Sequence, residues 1–548
     1  MLRRILTNRA RIRIRNTTIR FNSSKSIISG DSLDYETRKG IISQNPSGYY
    51  PPINQLRQKF KGKLLSTRLF RDQFKDEDFT QYEKKLYPQE KFLVEGQIVS
   101  IRKSGKSLYF VDIIQSGVRL QFMINKSMIT DTDSDFDKVH SQFKKGDYVL
   151  GFGYASVSNV GELSLKLSSP LQMLVPCLQE IPNKLEDKGI INSNRVLNYL
   201  VNPSVSKTPI IIKSKIIQSI RKFLLDREFL EVQTPILSGF GTGANAQPFT
   251  TVANSLSEEL VQLRVAPELW LKKLIISGFD RIFEIGNSFR NEGIDASHNP
   301  EFTTCEFYQT YINLSDLMRT TEQMIKFVYQ DLYHIMDEGV RDELNPLKSF
   351  KEYPKFDFVS TLESKTGVKL PCELSSINLI RYLETIGIPI PDNKSPSNLL
   401  DVLSSTYLES ISLEETYKNV PIFIYNQPSI LSPLAKSTMI EYDGGRNYDI
   451  SLRFELFING KEYVNAYEEE NSPFEQESKF KLQELSKANF NDEEMLIPDW
   501  KYIQSMEYGL PPTGGFGCGI DRLAMLFAGV DRIDQVLPFG NLRDVKKQ

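Results

Sequence analysis

Between Phe92 and Leu174 the chain breaks into five short alternating runs, "FLVEGQIVSIRK", "SLYFVDIIQ", "VRLQFMI", "DYVLGFGYAS" and "ELSLKL", separated by Gly, Ser or Asn turns. A strand sends successive side chains to opposite faces, so alternation of this kind buries one face and wets the other. Short strands in close succession hide their edges best by closing on themselves. The pattern predicts a small β-barrel over residues 91–175. Most of the 548 residues are left for something larger, and length alone allows three or four domains. Hydrophobic residues at 40% and charged residues at 25% are ordinary for a soluble chain. No apolar run reaches the ~20 residues that span a bilayer, so no membrane insertion is expected.

The remaining segments differ in composition. Residues 1–30 hold seven Arg and one Lys, and the first acid is Asp31, which leaves 59 basic against 69 acidic residues afterwards. An Arg-rich, hydroxyl-rich, acid-free start has the character of a mitochondrial presequence, with cleavage just after Arg20 to Asn22 and the matrix as destination. A basic arm that binds nucleic acid is the competing reading. Residues 31–90 form an extension with a helix expected over 53–74, and the barrel that follows looks like an OB-fold, a nucleic-acid binder. Residues 176–208, with several Pro, Asn and Ser, read as a linker. Ile212, Ile216, Ile220, Phe223 and Leu224 then make a helical stripe within 210–229. "FLEVQTPIL" reads as a strand interrupted by Pro235, suited to an edge or interface. A mainly helical section is expected over 312–420, and strands return beyond Ile422. The fold class expected is α+β, with the main domain at 209–548.

Four scattered cysteines with no CxxC pair, and only three histidines, argue against a zinc site or disulfide framework. The chemistry must rest on carboxylates, arginines and bound cations. Familiar phosphate loops are also excluded. The "GKS" at Gly105–Ser107 would need its leading glycine at Ser100, and both "GFGTGA" and "GFGCGI" lack the third glycine of GxGxxG. No doubly wound nucleotide fold is indicated.

Three clusters carry a signal. In the first, Arg290 follows an expected strand and precedes a loop with Glu292 and His298, after which Phe302 opens a second strand through Glu306 and Tyr308. With period two, Glu306, Tyr308 and Thr310 share one face. Such a strand–loop–strand can clamp ATP, Arg290 on a phosphate and Phe302 against adenine. In "RFELFINGKEYVNAYEEE", Asn459-Gly460 marks a two-residue hairpin. That register puts Phe457 opposite Glu462, so Glu455 and Glu462 share a face and are spaced for Mg²⁺. Asn465, Tyr467 and Glu469 fall on the opposite parity, and a bulge between Glu462 and Asn465 would bring both sets to one cavity. The third cluster, "GGFGCGIDRLAMLFAG", is glycine-rich and leads into an apolar helix with Arg522 in its first turn, a place suited to polyphosphate.

Taken together these segments resemble the class II aminoacyl-tRNA synthetases, and within them the lysyl family. "FLEVQTPIL" looks like motif 1, "FRNEG…HNPEFT" like motif 2 and "GLPPTGGFGCGIDRLAM" like motif 3. "RVAPELWLKKL", "SPLAK" and "KEYVNAYEEEN" mark the lysyl members. The resemblance covers about residues 90–540 and implies an ATP- and Mg²⁺-dependent ligase that charges tRNA(Lys) with L-lysine, acting as a homodimer. It places Arg290, Glu292, His298, Phe302, Glu455 and Arg522 around ATP, with Arg290 and Arg522 catalytic. Glu455 and Glu462 would hold the metal. Gly243, Glu268, Arg290, Glu306, Tyr308, Asn465, Tyr467 and Glu469 would form the lysine pocket. Tyr109, Gln121 and Glu162 would meet the anticodon. Tyr109 stands where phenylalanine is common, and Ala466 where bacterial members often have glycine.

The residues agree with that implication. A pocket for aspartate needs a buried cation facing the substrate side chain, because an unpaired buried charge is costly. Here Glu268, Glu306 and Glu469 come with no matching extra arginine, which favours a cationic side chain. A ligase that lysylates a protein would lack the barrel. A silent paralogue would have lost one of the ATP or metal positions, all of which are filled.

Overall fold

The computed structural model describes residues 32–129, 136–239, 243, 246–256, 260–490 and 498–547. The presequence expected at 1–30 lies outside them. The chain divides into two compact units, residues 1–183 and 184–548.

The first unit is built on five strands, β1 (Phe92–Ser104), β2 (Leu108–Gln115), β3 (Val118–Asn125), β4 (Tyr148–Val157) and β5 (Leu163–Leu167). They pair in the order β1-β2-β3-β5-β4, and β1 also pairs with β4, which closes the barrel. Its core is the inward set, including Phe92, Val94, Val111, Ile113, Phe122 and Leu165. The helix expected over 53–74 is broken: Ile53–Arg57 and Thr67–Phe74 are helical, and Lys63–Leu64 between them pairs with Phe92 and Leu93. Gly62 explains the break. A Cβ there would lie 2.7 Å from both Lys91 O and the Phe152 ring, so the backbone approaches the barrel where no helix could. Ser66 then caps the second helix, accepting from Leu69 N at 3.2 Å.

In the second unit the segment read as linker is largely helical, with helices at Lys188–Ser193 and Arg195–Val201. Polar residues of that segment serve as helix caps: Asp187 accepts from Ile190 N and Asn194 from Leu197 N. Helix α1 (Pro203–Leu225) begins with its proline in the first turn, earlier than the stripe alone suggested. Of "FLEVQTPIL" only β6 (Leu230–Glu231) joins the main sheet, while Leu237–Ser238, beyond Pro235, joins a separate three-stranded sheet.

Further helices are α2 (Glu268–Ile276), α3 (Leu314–Leu332), α4 (Trp500–Met506) and α5 (Ile520–Ala528). The main sheet adds β7 (Arg281–Phe289), β8 (Glu301–Thr310), β9 (Lys355–Asp357), β10 (Ile422–Tyr425), β11 (Arg453–Ile458), β12 (Lys461–Glu468) and β13 (Thr513–Gly519). The order is β9-β10-β11-β12-β13-β8-β7-β6, antiparallel except for the two short outer strands. The class is therefore α+β. Residues 312–420 are mainly helical, with a core of their own around Leu362, Leu379, Leu383 and Leu400.

Parity divides the main sheet into two faces. Phe283, Cys305, Phe307, Phe454, Leu456, Val464, Ala466, Phe516 and Cys518 pack against α1, α3 and α5. The rings of Phe307 and Phe516 stack in parallel at 4.5 Å across β8 and β13. Every second residue, including Glu306, Tyr308, Glu455, Asn465 and Tyr467, is turned the other way. That face carries the chemistry.

Candidate active site

The central strand of this face, β13, presents Gly515, Gly517 and Gly519, so the middle of the sheet is bare backbone flanked by side chains of β8 and β12. A cavity of about 270 Å³ lies over it. Its lining includes Glu268, Arg290, Glu292, His298, Phe302, Glu306, Tyr308, Glu462, Asn465, Tyr467 and Arg522. Gly515 is indispensable there: a Cβ would fall 2.0 Å from Glu469 Oε1 and 2.7 Å from the Tyr308 ring. Gly243 is buried beside Glu268, its Cβ direction 3.2 Å from Glu268 Cβ.

One end of the cavity is acidic. Glu268 Oε1 accepts from Tyr467 OH at 2.7 Å and from Lys272 Nζ at 2.5 Å. Lys272 also pairs with Glu469. Among the described residues Glu306 receives a single donor, Tyr308 OH at 3.2 Å. Burial, reinforced by the Glu268 carboxylate, pushes the Glu306 carboxyl up to about 8. Burial raises Glu469 as well, against the pull of Lys272. Burial alone would discharge Lys272, but Glu268 and Glu469 hold its ammonium above the ordinary range. Lys272 was not foreseen from the sequence; the extra cation exists, yet two carboxylates already claim it.

The other end is basic and more open. The Arg290 guanidinium lies 5.2 Å over the Phe302 ring, and Arg290 Nε is buried without a hydrogen-bond partner. Arg522 donates to His298 Nε2 and to Glu462 O, both at 2.8 Å. His298 Nδ1 donates to Asp295 Oδ2 at 2.8 Å. Burial would raise Asp295, but donors from Ser297 and His298 bring it down to about 2. The helix carrying Arg522 is fixed by its neighbour Asp521, which accepts from Thr303 N at 2.7 Å and pairs with Lys213 at 2.5 Å.

Beside this end lies a second, polar cavity of about 530 Å³, sharing Ser297, His298, Glu462 and Arg522 with the first. Glu455 and Glu462 both line it, because the hairpin forms as its sequence requires. Asn459 and Gly460 take φ of 50° and 74°, and Phe457 pairs with Glu462. Leu456 pairs with Val464, so Tyr463 is the extra residue of a bulge between Glu462 and Asn465. Beyond the bulge, Asn465 faces Glu455. Arg453 links them, donating to Asn465 Oδ1 at 2.9 Å and pairing with Glu455, while Gln427 Nε2 donates to Glu455 Oε2 at 2.9 Å. Burial drives the Glu455 carboxyl up to about 7, with Glu462 and Glu409 adding to the rise against Arg453.

The model of the family "tRNA synthetases class II (D, K and N)" matches residues 187–543. The mitochondrial lysine–tRNA ligase of Saccharomyces cerevisiae is 36% identical over 95% of this chain and 94% of its own length. The mitochondrial lysine–tRNA ligase of Schizosaccharomyces pombe is 37% identical over 83% of this chain and 85% of its own. A lysine–tRNA ligase of Fusobacterium nucleatum is 35% identical over 83% and 88%. This chain belongs to the class II tRNA synthetases, among the lysine–tRNA ligases. ATP and Mg²⁺ are general requirements of that class.

In this synthetase the acidic and basic ends named above meet in one cavity, and Glu469 lies just behind the wall formed by Tyr308 and Gly515. The barrel is different. Tyr109 is only 5% exposed, packed near Phe136 and His140 with its hydroxyl donating to Asp137 at 3.1 Å. It has no free ring face for a base, and the expectation is corrected by one residue. Tyr109, Val111 and Ile113 point inward, whereas Phe110 and Asp112 take the outward parity, with Arg102 5.8 Å from the Phe110 ring. Gln121 lies on the outward side, opposite Asp112 and Ser164, to which it is hydrogen-bonded. Glu162 is exposed in the β4–β5 loop, 3.6 Å from Arg71. Sequence reasoning also passed over Arg264, whose buried pair with Glu284 at 2.5 Å stands behind Glu306 on the neighbouring strand. The buried arginine and its partner glutamate were visible in the sequence, but nothing local joined them.

Proposed function

We propose that this lysine–tRNA ligase activates L-lysine with ATP to lysyl-adenylate, releases pyrophosphate, and transfers the lysyl group to the 3′ end of tRNA(Lys) for mitochondrial translation. The observation that carries the substrate assignment is the charge of the cavity. Glu268, Glu306 and Glu469 face Lys272 and Arg290, so the fully ionised site carries one net negative charge and is one positive charge short of neutral. Free lysine, with two ammonium groups and one carboxylate, restores the balance. Aspartate would deepen the deficit.

In this reading the α-carboxylate lies toward Arg290 and attacks the α-phosphorus in line, the bond to pyrophosphate breaking as the new P–O bond forms. Arg290 and Arg522 stabilise charge that develops on the phosphoryl oxygens, and no protein nucleophile is needed. Phe302 offers a ring face for adenine, and Glu292 and His298 border the nucleotide. Glu306, Tyr308, Asn465, Tyr467, Glu268 and Gly243 surround the amino acid, with Glu469 behind them.

Glu455 and Glu462 suit a divalent cation. Their carboxylates share one cavity, burial and then like charge hold Glu455 up, and the buried Gln427 Oε1 has no partner among the described residues. Among the described residues no set of three or more His, Cys, Asp or Glu could hold a metal alone. Glu455 and Glu462 would hold Mg²⁺ together with the nucleotide, and the ion would supply positive charge against the phosphates.

The outward barrel face, with Phe110, Gln121 and Glu162, would meet the anticodon by stacking and base-edge hydrogen bonds. Leu230, Ile236 and Leu237 are about half exposed around Pro235, which supports dimerisation through motif 1. The acid-free, Arg-rich start supports delivery to the mitochondrial matrix. The deciding experiment is ATP–pyrophosphate exchange with each of the twenty amino acids, followed by charging of mitochondrial RNA. Exchange supported by lysine alone is expected; exchange supported best by aspartate or asparagine would overturn the assignment.

A further inference from the structure

We propose that Lys272 is a specificity-setting counterion, which cancels one carboxylate of the amino-acid pocket so that the charge left over matches free lysine. The inference rests on lysine being the substrate. Lys272 has no exposed surface, yet it stands one helical turn after Glu268 and contacts both Glu268 and Glu469. The rings of Tyr467 and Tyr502 lie 5.6 and 5.9 Å from its ammonium. A lysine buried only for packing would be an expensive choice, because a desolvated ammonium needs paired charge to persist.

The groups that face it come from every neighbouring element. Glu268 lies on α2, Tyr467 on β12, Glu469 just after β12 and Tyr502 on α4; Glu306 and Tyr308 on β8 act on Glu469, and Glu470 acts on Tyr502. Glu470 is taken by Lys479 at 2.7 Å and Glu306 has Arg264 behind it, which leaves Lys272 as the cation paired with Glu268 and Glu469. With the ammonium removed, three carboxylates would crowd a low-dielectric pocket, and like charge drives such groups to take up protons. Lysine would then have to displace more protons to bind. Lys272 is thus a positioning residue: it acts on the substrate through Glu268 and Glu469.

The test is the pH profile of lysine-dependent ATP–pyrophosphate exchange in full-length protein. Lys272→Met should raise the lysine KM at neutral pH about tenfold or more and move the rise of kcat/KM for lysine up by about one pH unit. The ATP KM should stay within about twofold, and Lys272→Arg should keep the original profile. Lys272→Gln, which keeps a hydrogen-bond donor beside Glu268 without the charge, guards against a folding defect and should show the same upward shift of the profile. A wild-type pH profile in Lys272→Met or in folded Lys272→Gln, or parallel losses for lysine and ATP, would overturn the inference. Wild-type protein whose exchange ignores lysine would instead sink the substrate reading.

Discussion

The two ends of the catalytic cavity solve opposite problems in opposite ways. At the basic end Arg290, His298 and Arg522 are half-buried or exposed, and the buried Arg290 Nε has no partner among the described residues. Water remains close, so charge there is screened and cheap to hold, and an anionic ligand can arrive and leave. At the acidic end Glu268, Glu306 and Glu469 are each less than a tenth exposed. Their charge is expensive, and the fold manages it with one internal ammonium, tyrosine hydroxyls and a proton on Glu306. Selectivity therefore belongs to the dry end, where leaving a charge unpaired costs most. Reaction chemistry belongs to the wetter end, where charge moves.

Breaking the basic end should have the largest effect. Arg290→Ala is expected to slow adenylate formation roughly 10²-fold or more, the scale of one lost transition-state donor. Unchanged single-turnover adenylate formation would remove Arg290 from the reaction. At the acidic end Glu306→Gln should weaken lysine binding about tenfold to a hundredfold, with ATP binding nearly untouched. Equal losses for the two ligands, read by calorimetry, would deny the division between the ends.

The comparison sharpens with pH. Glu306 sits at about 8 in the free site and so carries a proton at neutral pH, whereas a bound ammonium favours the carboxylate. Lysine binding should release that proton, and affinity should climb as pH rises toward about 8 and then level off. Calorimetry in buffers of different ionisation enthalpy should detect the proton, and Glu306→Gln should abolish it. The smallest effect is expected on the barrel. Phe110→Ala should weaken tRNA binding several-fold, the low end of the ~1–3 kcal/mol for base stacking. Tyr109→Ala should instead lower barrel stability by about 3 kcal/mol through lost core packing. If Tyr109→Ala impaired tRNA binding in a barrel of unchanged stability, the inward placement would be wrong.

Much of this was written in local pattern. The Asn459-Gly460 turn fixed the pairing of Phe457 with Glu462, and the clash of parities between Glu462 and Asn465 required a bulge, which Tyr463 supplies. The stripe from Ile212 to Leu224 marked a buried helix face. Such features need only near neighbours, so the sequence by itself determined the antiparallel hairpins, the glycine floor and the residue types of the site. Tertiary structure decided the rest. The run "SLYFVDIIQ" is apolar on both parities, so only the closed barrel could say that Tyr109 goes in and Phe110 out. Lys272 and Glu268 are a turn apart on one helix, but Glu469 reaches them from a distant strand end, beside Gly515. Burial created by that assembly is what turns ordinary carboxylates into a selective pocket, and burial is a property of the packed chain that no local spacing encodes.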